Sequence, residues 1–259
     1  MTVPTTPAAT PPATENALSI SGLDVTLGGL PVVRGLDLHA RPGEFVSILG
    51  PSGSGKSTTF GVLTGDVHPD AGDVRIEGDG LGRGSRVAYM PQRDALLPWR
   101  TVLNNVTLGL EVRGVRRRAA RQKVQPLLEP FGLSGFENRY PAQLSGGMRQ
   151  RAALLRTVAQ EQPVLLLDEP FGALDALTRS QMQRWLEQMW EQYRWTVLLI
   201  THDVREALYL SDRVYVFSPR PARVAAEVVV DFPRPRTPEL FSDPRFAALE
   251  AELLKQLIG

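Results

Sequence analysis

A strand-like run, Glu44–Leu49, passes directly into Gly50-Pro51-Ser52-Gly53-Ser54-Gly55-Lys56-Ser57-Thr58, and a helical pattern continues to about Leu63. No other segment restricts the fold as strongly. Glycines at 50 and 55 let backbone N–H groups converge on an anion, and the start of the next helix adds partial positive charge. Lys56, one of three lysines in the chain, is spaced to reach the β- and γ-phosphates of a nucleotide. The Ser57 hydroxyl is spaced to ligate Mg²⁺. A plain glycine-rich turn would require neither the strand before nor the helix after, and both are present.

The remainder of the chain reads as α/β. Short strands are expected at Leu23–Leu27 and Val32–Leu38, then a hairpin built from Val74–Ile76 and Val87–Met90 around a glycine-rich turn. From Thr101 to about Glu161 the pattern is helical. A buried strand Val164–Leu167, a long helix from about Ala176 and a strand Trp195–Ile200 follow. Met182, Trp185, Leu186, Met189, Trp190 and Tyr193 repeat at helical spacing, which marks a core-facing stripe. Two further strands (213–217 and 223–230), a proline-rich turn and a helix Pro244–Leu257 complete the chain. Strands alternating with helices predict a mainly parallel sheet covered on both faces. Residues 1–16 hold four prolines, five threonines and three alanines without apolar periodicity, so they read as a disordered leader.

Composition narrows the function. Twenty-nine basic against 28 acidic side chains leave a net charge of +1, which offers no global field for nucleic acid or an anionic membrane. Six basic residues between Arg113 and Lys123 lack interleaved aromatics and read as a solvated helix face. Cysteine is absent, and His39, His68 and His202 lie far apart, which argues against thiolate or histidine metal sites. Apolar runs such as Val164–Leu167 and Val197–Ile200 stop at four residues, far below the roughly 18 needed to span a bilayer. With no secretory signal visible, the expected compartment is the cytoplasm.

Two more constellations carry chemistry. Val164–Leu167 delivers Asp168-Glu169 to the carboxyl tip of a buried strand, the edge where open α/β sheets bind ligands. Asp168 is placed to hold Mg²⁺ through water and Glu169 to polarise an attacking water. In Leu144-Ser145-Gly146-Gly147-Met148-Arg149-Gln150-Arg151, Ser145 is a good N-cap and two glycines leave first-turn N–H groups open. One nucleotide needs one such helix start. The simplest resolution is that the second one faces the γ-phosphate held by another copy of the chain.

Gly50–Thr58, Gln92, Leu144–Arg151, Leu166–Pro170, Ala173-Leu174-Asp175 and Thr201-His202-Asp203 follow the order and spacing of the nucleotide-binding subunits of ATP-binding-cassette transporters. The resemblance covers about residues 18–220. It implies an α/β P-loop NTPase cassette over 17–230 with a mainly parallel core sheet, an antiparallel β subdomain and an inserted helical subdomain at about 93–160. Residues 231–259 would form a C-terminal extension. It further implies a homodimer closing head to tail on ATP and Mg²⁺, each nucleotide lying between the phosphate loop of one copy and Ser145, Gly146 and Gly147 of the other. In that frame Glu169 resembles the general base, His202 the γ-phosphate contact, Gln92 the link between Mg²⁺ and the helical subdomain, and Asp175 the cross-dimer contact. Ser57, Gln92 and Asp168 would serve the metal. Two separate transmembrane permease subunits and an extracytoplasmic substrate-binding protein would complete the system at the cytoplasmic face of the membrane, with no role for nucleic acid. The family's adenine-stacking aromatic position corresponds to Leu27, and no Phe, Tyr or Trp precedes Phe45.

Asp94–Val102, Asp168–Asp175 and Phe232-Pro233-Arg234-Pro235-Arg236 resemble importers of nitrate, sulfonates, taurine and thiamine pyrimidine precursors. There Leu97-Pro98-Trp99 would line the groove for a membrane-subunit helix; ordinary packing within the subdomain is the competing expectation. A GTPase switch would need Asn-Lys-x-Asp, and no asparagine here precedes a lysine. A chromosome-maintenance ATPase would need a coiled coil between Gly50 and Leu144, and a translation-associated protein a second phosphate loop. The ATPase of an efflux or lipoprotein-release system is the remaining alternative.

Overall fold

The computed structural model describes residues 16–77, 79–80 and 86–258. The expected leader, Asn16 apart, and most of the glycine-rich turn lie outside the described residues. The first two strands, β1 (Leu18–Leu27) and β2 (Leu30–Ala40), pair antiparallel. β3 (Phe45–Leu49) feeds the phosphate loop and α1 (Lys56–Thr64). β4 (Ala71–Ile76) and β5 (Asp79–Gly80) join β1 and β2 in a four-stranded antiparallel sheet of order β2-β1-β4-β5.

β6 (Val87–Met90) does not form a hairpin with β4. It pairs parallel with β7 (Val164–Asp168) in a second sheet. Three of its four residues are buried, as a parallel strand covered on both faces requires.

α2 (Val102–Val106), α3 (Leu108–Val112), α4 (Arg117–Val124) and α5 (Gly146–Val158) occupy the expected helical stretch. Between α4 and α5 the chain is mainly turns and short 3₁₀ pieces, where Pro130, Gly132, Gly135 and Pro141 interrupt helix propagation. The basic cluster is solvent-exposed: Arg117 and Arg121 donate to Asn104, and Lys123 pairs with Glu161.

α6 (Ala176–Tyr193), β8 (Thr196–Ile200), α7 (Val204–Leu210), β9 (Arg213–Phe217), β10 (Val224–Val229) and α8 (Pro244–Ile258) follow. The second sheet has the order β10-β9-β3-β8-β7-β6, and only β10 runs antiparallel. Met182, Leu186, Met189 and Trp190 are buried against this sheet's helical layer, with Trp185 and Tyr193 half-buried. Among the described residues no helix is long and apolar enough to cross a membrane.

Residues 231–258 fold back on this frame. Arg234 pairs with Glu187 and Asp212, and its guanidinium lies 3.9 Å from the centre of the Trp190 ring. Arg236 is buried and donates to the carbonyls of Leu208, Tyr209, Ser211 and Val230 at 2.7–3.2 Å. It thereby satisfies the orphan carbonyls at the end of α7. Burial, with the neighbouring Arg234 charge, pushes its pKa down to about 10 against the opposing charges of Asp212 and Glu187.

Candidate functional site

Parallel register brings the chemistry to one edge. Phe45 aligns with Val197, Asp168 with Ile200, and Met90 with Leu167. The segments leaving β3, β7, β8 and β6 therefore emerge together, carrying the phosphate loop, Glu169, His202 and Gln92. A cleft of about 460 Å³ is lined by Gly50, Ser52–Thr58, Gln92, Glu169, His202 and Arg220.

The loop's shape depends on Gly55, which caps α1 at φ 103° without a side-chain bond. A Cβ at Gly55 would come within 3.1 Å of the Val32 carbonyl and 3.3 Å of the Ala222 methyl. Lys56 is 7% exposed and curls back on the loop, its Nζ donating to the carbonyls of Gly50 at 2.7 Å and Pro51 at 2.9 Å. Burial lowers its pKa, against the opposing charges of Glu169 and Asp168. Pro51 is absent from the cleft lining and contributes through that carbonyl.

Glu169 sits at φ 43°, a left-handed conformation that a non-glycine residue holds only when its surroundings impose it. Its N–H donates to the Ile200 carbonyl at 2.9 Å. Its Oε2 accepts from Gln92 Nε2 at 2.8 Å and lies 3.5 Å from His202 Nδ1. Asp168 lies beneath, buried, and accepts from the Tyr89 hydroxyl at 3.2 Å. Burial raises the Asp168 pKa, assisted by Glu169 and opposed by the Tyr89 bond and Lys56. Burial and the Asp168 charge push the Tyr89 phenol up to about 12.

The donor set fits Mg²⁺. Exposed Ser57 and the Gln92 amide oxygen offer hard oxygen donors in the cleft, and the Asp168 carboxylate, a third such donor, lies buried behind its lining. Among the described residues no group of three or more His, Cys, Asp or Glu could cage an ion. A divalent ion here would need phosphate oxygens to complete its shell, which is how Mg²⁺ usually binds.

Ser145, Gly146, Gly147 and Asp175 are brought together elsewhere. With Met148, Arg151, Leu174 and Thr178 they line a separate cleft of about 300 Å³. Ser145 caps α5, its Oγ accepting from Met148 N at 3.2 Å. Asp175 caps α6 by accepting from Thr178 N at 3.0 Å and Thr178 Oγ at 2.7 Å, which lowers its pKa. Gln150 of α5 donates to the Pro170 carbonyl, one residue beyond Glu169, so the two clefts share a mechanical link. Leu27 ends β1, 44% exposed, and does not line the phosphate cleft.

Residues 33–172, more than half of the chain, match the family described as ABC transporter. The chain belongs to that family. The cassette is 46% identical over 200 residues to the formylaminopyrimidine import ATP-binding protein ThiZ of Halalkalibacterium halodurans, covering 77% of this chain and 78% of that protein. It is 42% identical over 249 residues to the aliphatic sulfonates import ATP-binding protein SsuB 1 of Burkholderia lata, covering 96% and 74%. Among solved structures it is similar to a dimeric ATP-binding cassette in a post-hydrolysis state with ADP and Pi. That match has a TM-score of 0.69 and 28% identity, covering 83% of this chain and 99% of the other. The cassette is an ATPase whose hydrolysis of ATP powers transport.

Two residues escaped the sequence reading: Arg220, which lines the cleft, and Tyr89, which bonds Asp168 behind it. Arg220 lies between two prolines directly after a parallel strand, so its delivery to the binding edge was inferable. Tyr89 precedes Gln92 on a strand whose pairing with β7 the hairpin expectation concealed.

Proposed function

We propose that the cassette acts as a head-to-tail homodimer on the cytoplasmic face of a membrane, driving import of a small organic or anionic solute through two separate permease subunits. Relatives named for formylaminopyrimidine and aliphatic sulfonate import support that solute class, and an extracytoplasmic binding protein would deliver it. The observation that carries the proposal is the separation of two glycine-bearing helix starts into clefts with no lining residue in common. One chain holds both halves of a nucleotide site and cannot use them on the same nucleotide.

In this reading Gly50–Thr58 cradles the polyphosphate through backbone N–H groups, and Lys56 leaves its loop carbonyls to meet the β- and γ-oxygens. Ser57 and Gln92, with Asp168 behind them, would hold Mg²⁺, which neutralises charge developing on the phosphates. Glu169 accepts the proton of the attacking water, with Gln92 and His202 orienting its carboxylate and His202 also donating to the γ-phosphate. The partner copy supplies Ser145, Gly146 and Gly147 to the γ-phosphate and Asp175 beside them. Leu27 gives the base an aliphatic contact.

Trp99 is 71% exposed, on a segment that Arg149, Arg156 and Asn105 hold rigid through Asp94, Ala95 and Leu97. That favours docking of a permease helix on Leu97-Pro98-Trp99 over packing within the subdomain. The decisive experiment reconstitutes the cassette with its co-purifying membrane subunits in proteoliposomes. ATP-dependent accumulation of an alkanesulfonate or a formylaminopyrimidine is expected. ATP turnover with no accumulation of either, or with solute moving outward, would overturn the import reading.

A further inference from the structure

The turn between β9 and β10 leaves the sheet at the same edge as the phosphate loop and reaches it. Arg220 stands at its tip, lines the same cleft as Lys56, and donates from Nη2 to the Gly53 carbonyl at 3.1 Å. The backbone beneath it is fastened at several points. Ser218 N donates to the Arg223 carbonyl at 2.9 Å, and Arg223 N returns to Ser218 Oγ at 3.1 Å. Ala222 N donates to the Val32 carbonyl at 2.8 Å, and Arg34 N to the Ala222 carbonyl at 3.0 Å. The Ala222 methyl stands where a Cβ added at Gly55 would meet it at 3.3 Å, so the turn also limits the loop at that position. The guanidinium is therefore delivered by a turn that is already ordered and already registered on the loop.

The charge of Arg220 is unanswered. Arg213, Arg234 and Arg236 all reach carboxylates, whereas among the described residues Arg220 has no ion pair and a loop carbonyl as its hydrogen-bond partner. Most of its N–H donors remain uncommitted. An exposed guanidinium with spare donors, held beside a phosphate cradle, matches the fork geometry that takes two phosphate oxygens at once.

We propose that Arg220 is a second polyphosphate-binding cation of the nucleotide cleft, working beside Lys56 from a different element of the fold. The proposal rests on the nucleotide reading of that cleft. Lys56 supplies a compact charge from beneath the loop, and Arg220 supplies a planar one from its outer rim. On nucleotide arrival the guanidinium exchanges the Gly53 carbonyl for phosphate oxygens, and its stem stays where the turn holds it.

The test compares wild type, Arg220→Gln and Lys56→Ala by equilibrium binding of Mg-ATP, Mg-GTP and inorganic tripolyphosphate at several salt concentrations. Arg220→Gln keeps most of the stem, so its melting temperature should match wild type. It should bind all three ligands about tenfold more weakly, the effect of one exposed charge-assisted phosphate contact. Its affinity should also fall less steeply with salt. Unchanged affinity for all three ligands, or a salt slope equal to that of wild type, overturns the proposal. A loss seen with ATP but not with GTP and tripolyphosphate also overturns it, since Arg220 would then read the base. Lys56→Ala separates the failures: if it too binds normally, the nucleotide reading has fallen, and if it alone loses binding, only Arg220 has.

Discussion

At the start of α1 the capping residue is Gly55, left-handed and without a side-chain cap; at the start of α5 it is Ser145, whose hydroxyl already accepts from Met148 N. Both helices present a positive end and glycines. Around the first stand Lys56, His202 and Arg220, with Glu169 aimed into the same space. Around the second stand Arg151 and the carboxylate of Asp175. The first is open and sets the two cations Lys56 and Arg220 against one carboxylate, so it can capture a polyphosphate unaided. The second is partly self-satisfied and balances its one cation, Arg151, with Asp175, so it suits a nucleotide already seated and shielded by another copy. On the proposed head-to-tail reading, capture and closure are divided between two places on one chain.

The largest expected effect comes from removing capture. Lys56→Ala deletes charge-assisted hydrogen bonds worth about 1.5–3 kcal/mol each, so ATP affinity should fall by roughly 100-fold or more. Titration calorimetry measures this directly, and near-normal affinity would break the assignment of the first cleft. Next comes Glu169→Gln, which keeps the shape of the side chain and its contact with Gln92 while removing the base. Hydrolysis should drop by about 10²–10⁴-fold with nucleotide affinity retained, and light scattering should find an ATP-loaded dimer. A variant that still turns over ATP would take Glu169 out of its role.

Gly147→Asp probes closure alone. The added Cβ meets the Thr178 methyl at 3.3 Å, close enough to need a small adjustment and no more. The new carboxylate repels a γ-phosphate. In the Glu169→Gln background it should abolish the ATP-loaded dimer and leave the affinity of the single chain within about twofold, a difference near 0.4 kcal/mol. Weakened binding to the single chain would mean that the second cleft captures nucleotide itself, and the division would fail.

Much of this was legible because it depends on local chemistry. The strand–loop–helix at Gly50–Thr58, the Asp168-Glu169 strand tip and the Ser145 cap follow from residue type and spacing. Pairing is a different matter. Val74–Ile76 and Val87–Met90 flank a glycine-rich stretch, and their local pattern does not say that one joins β1 and the other β7. That error hid Tyr89. Arg234 and Arg236 were visible as a motif, but their partners Glu187, Asp212 and Trp190 come from distant segments, so the anchor emerges only on folding. Arg220 had a local signal in its place after a parallel strand, and the abundance of arginine masked it.

The smallest expected effect lies at the base end of the first cleft, where capture should be least selective. Leu27 is 44% exposed at the end of β1, and the residues lining the phosphate cleft include no Phe, Tyr or Trp. Base–aromatic stacking is worth about 1–3 kcal/mol, and an aliphatic contact recovers only part of that through apolar burial. Wild-type cassette should therefore hold GTP within about tenfold of ATP, a difference near 1.4 kcal/mol. Leu27→Tyr should tighten ATP a few-fold by supplying the missing ring. Tripolyphosphate affinity should stay put, because Gly50–Thr58 grips that end without help from β1. Competition among ATP, GTP and tripolyphosphate on both proteins measures all three quantities. Strong ATP preference in wild type, unmoved by Leu27→Tyr, would mean that the base is read by a residue other than Leu27. The first cleft would then be selective at both ends, and the second would differ from it in more than charge.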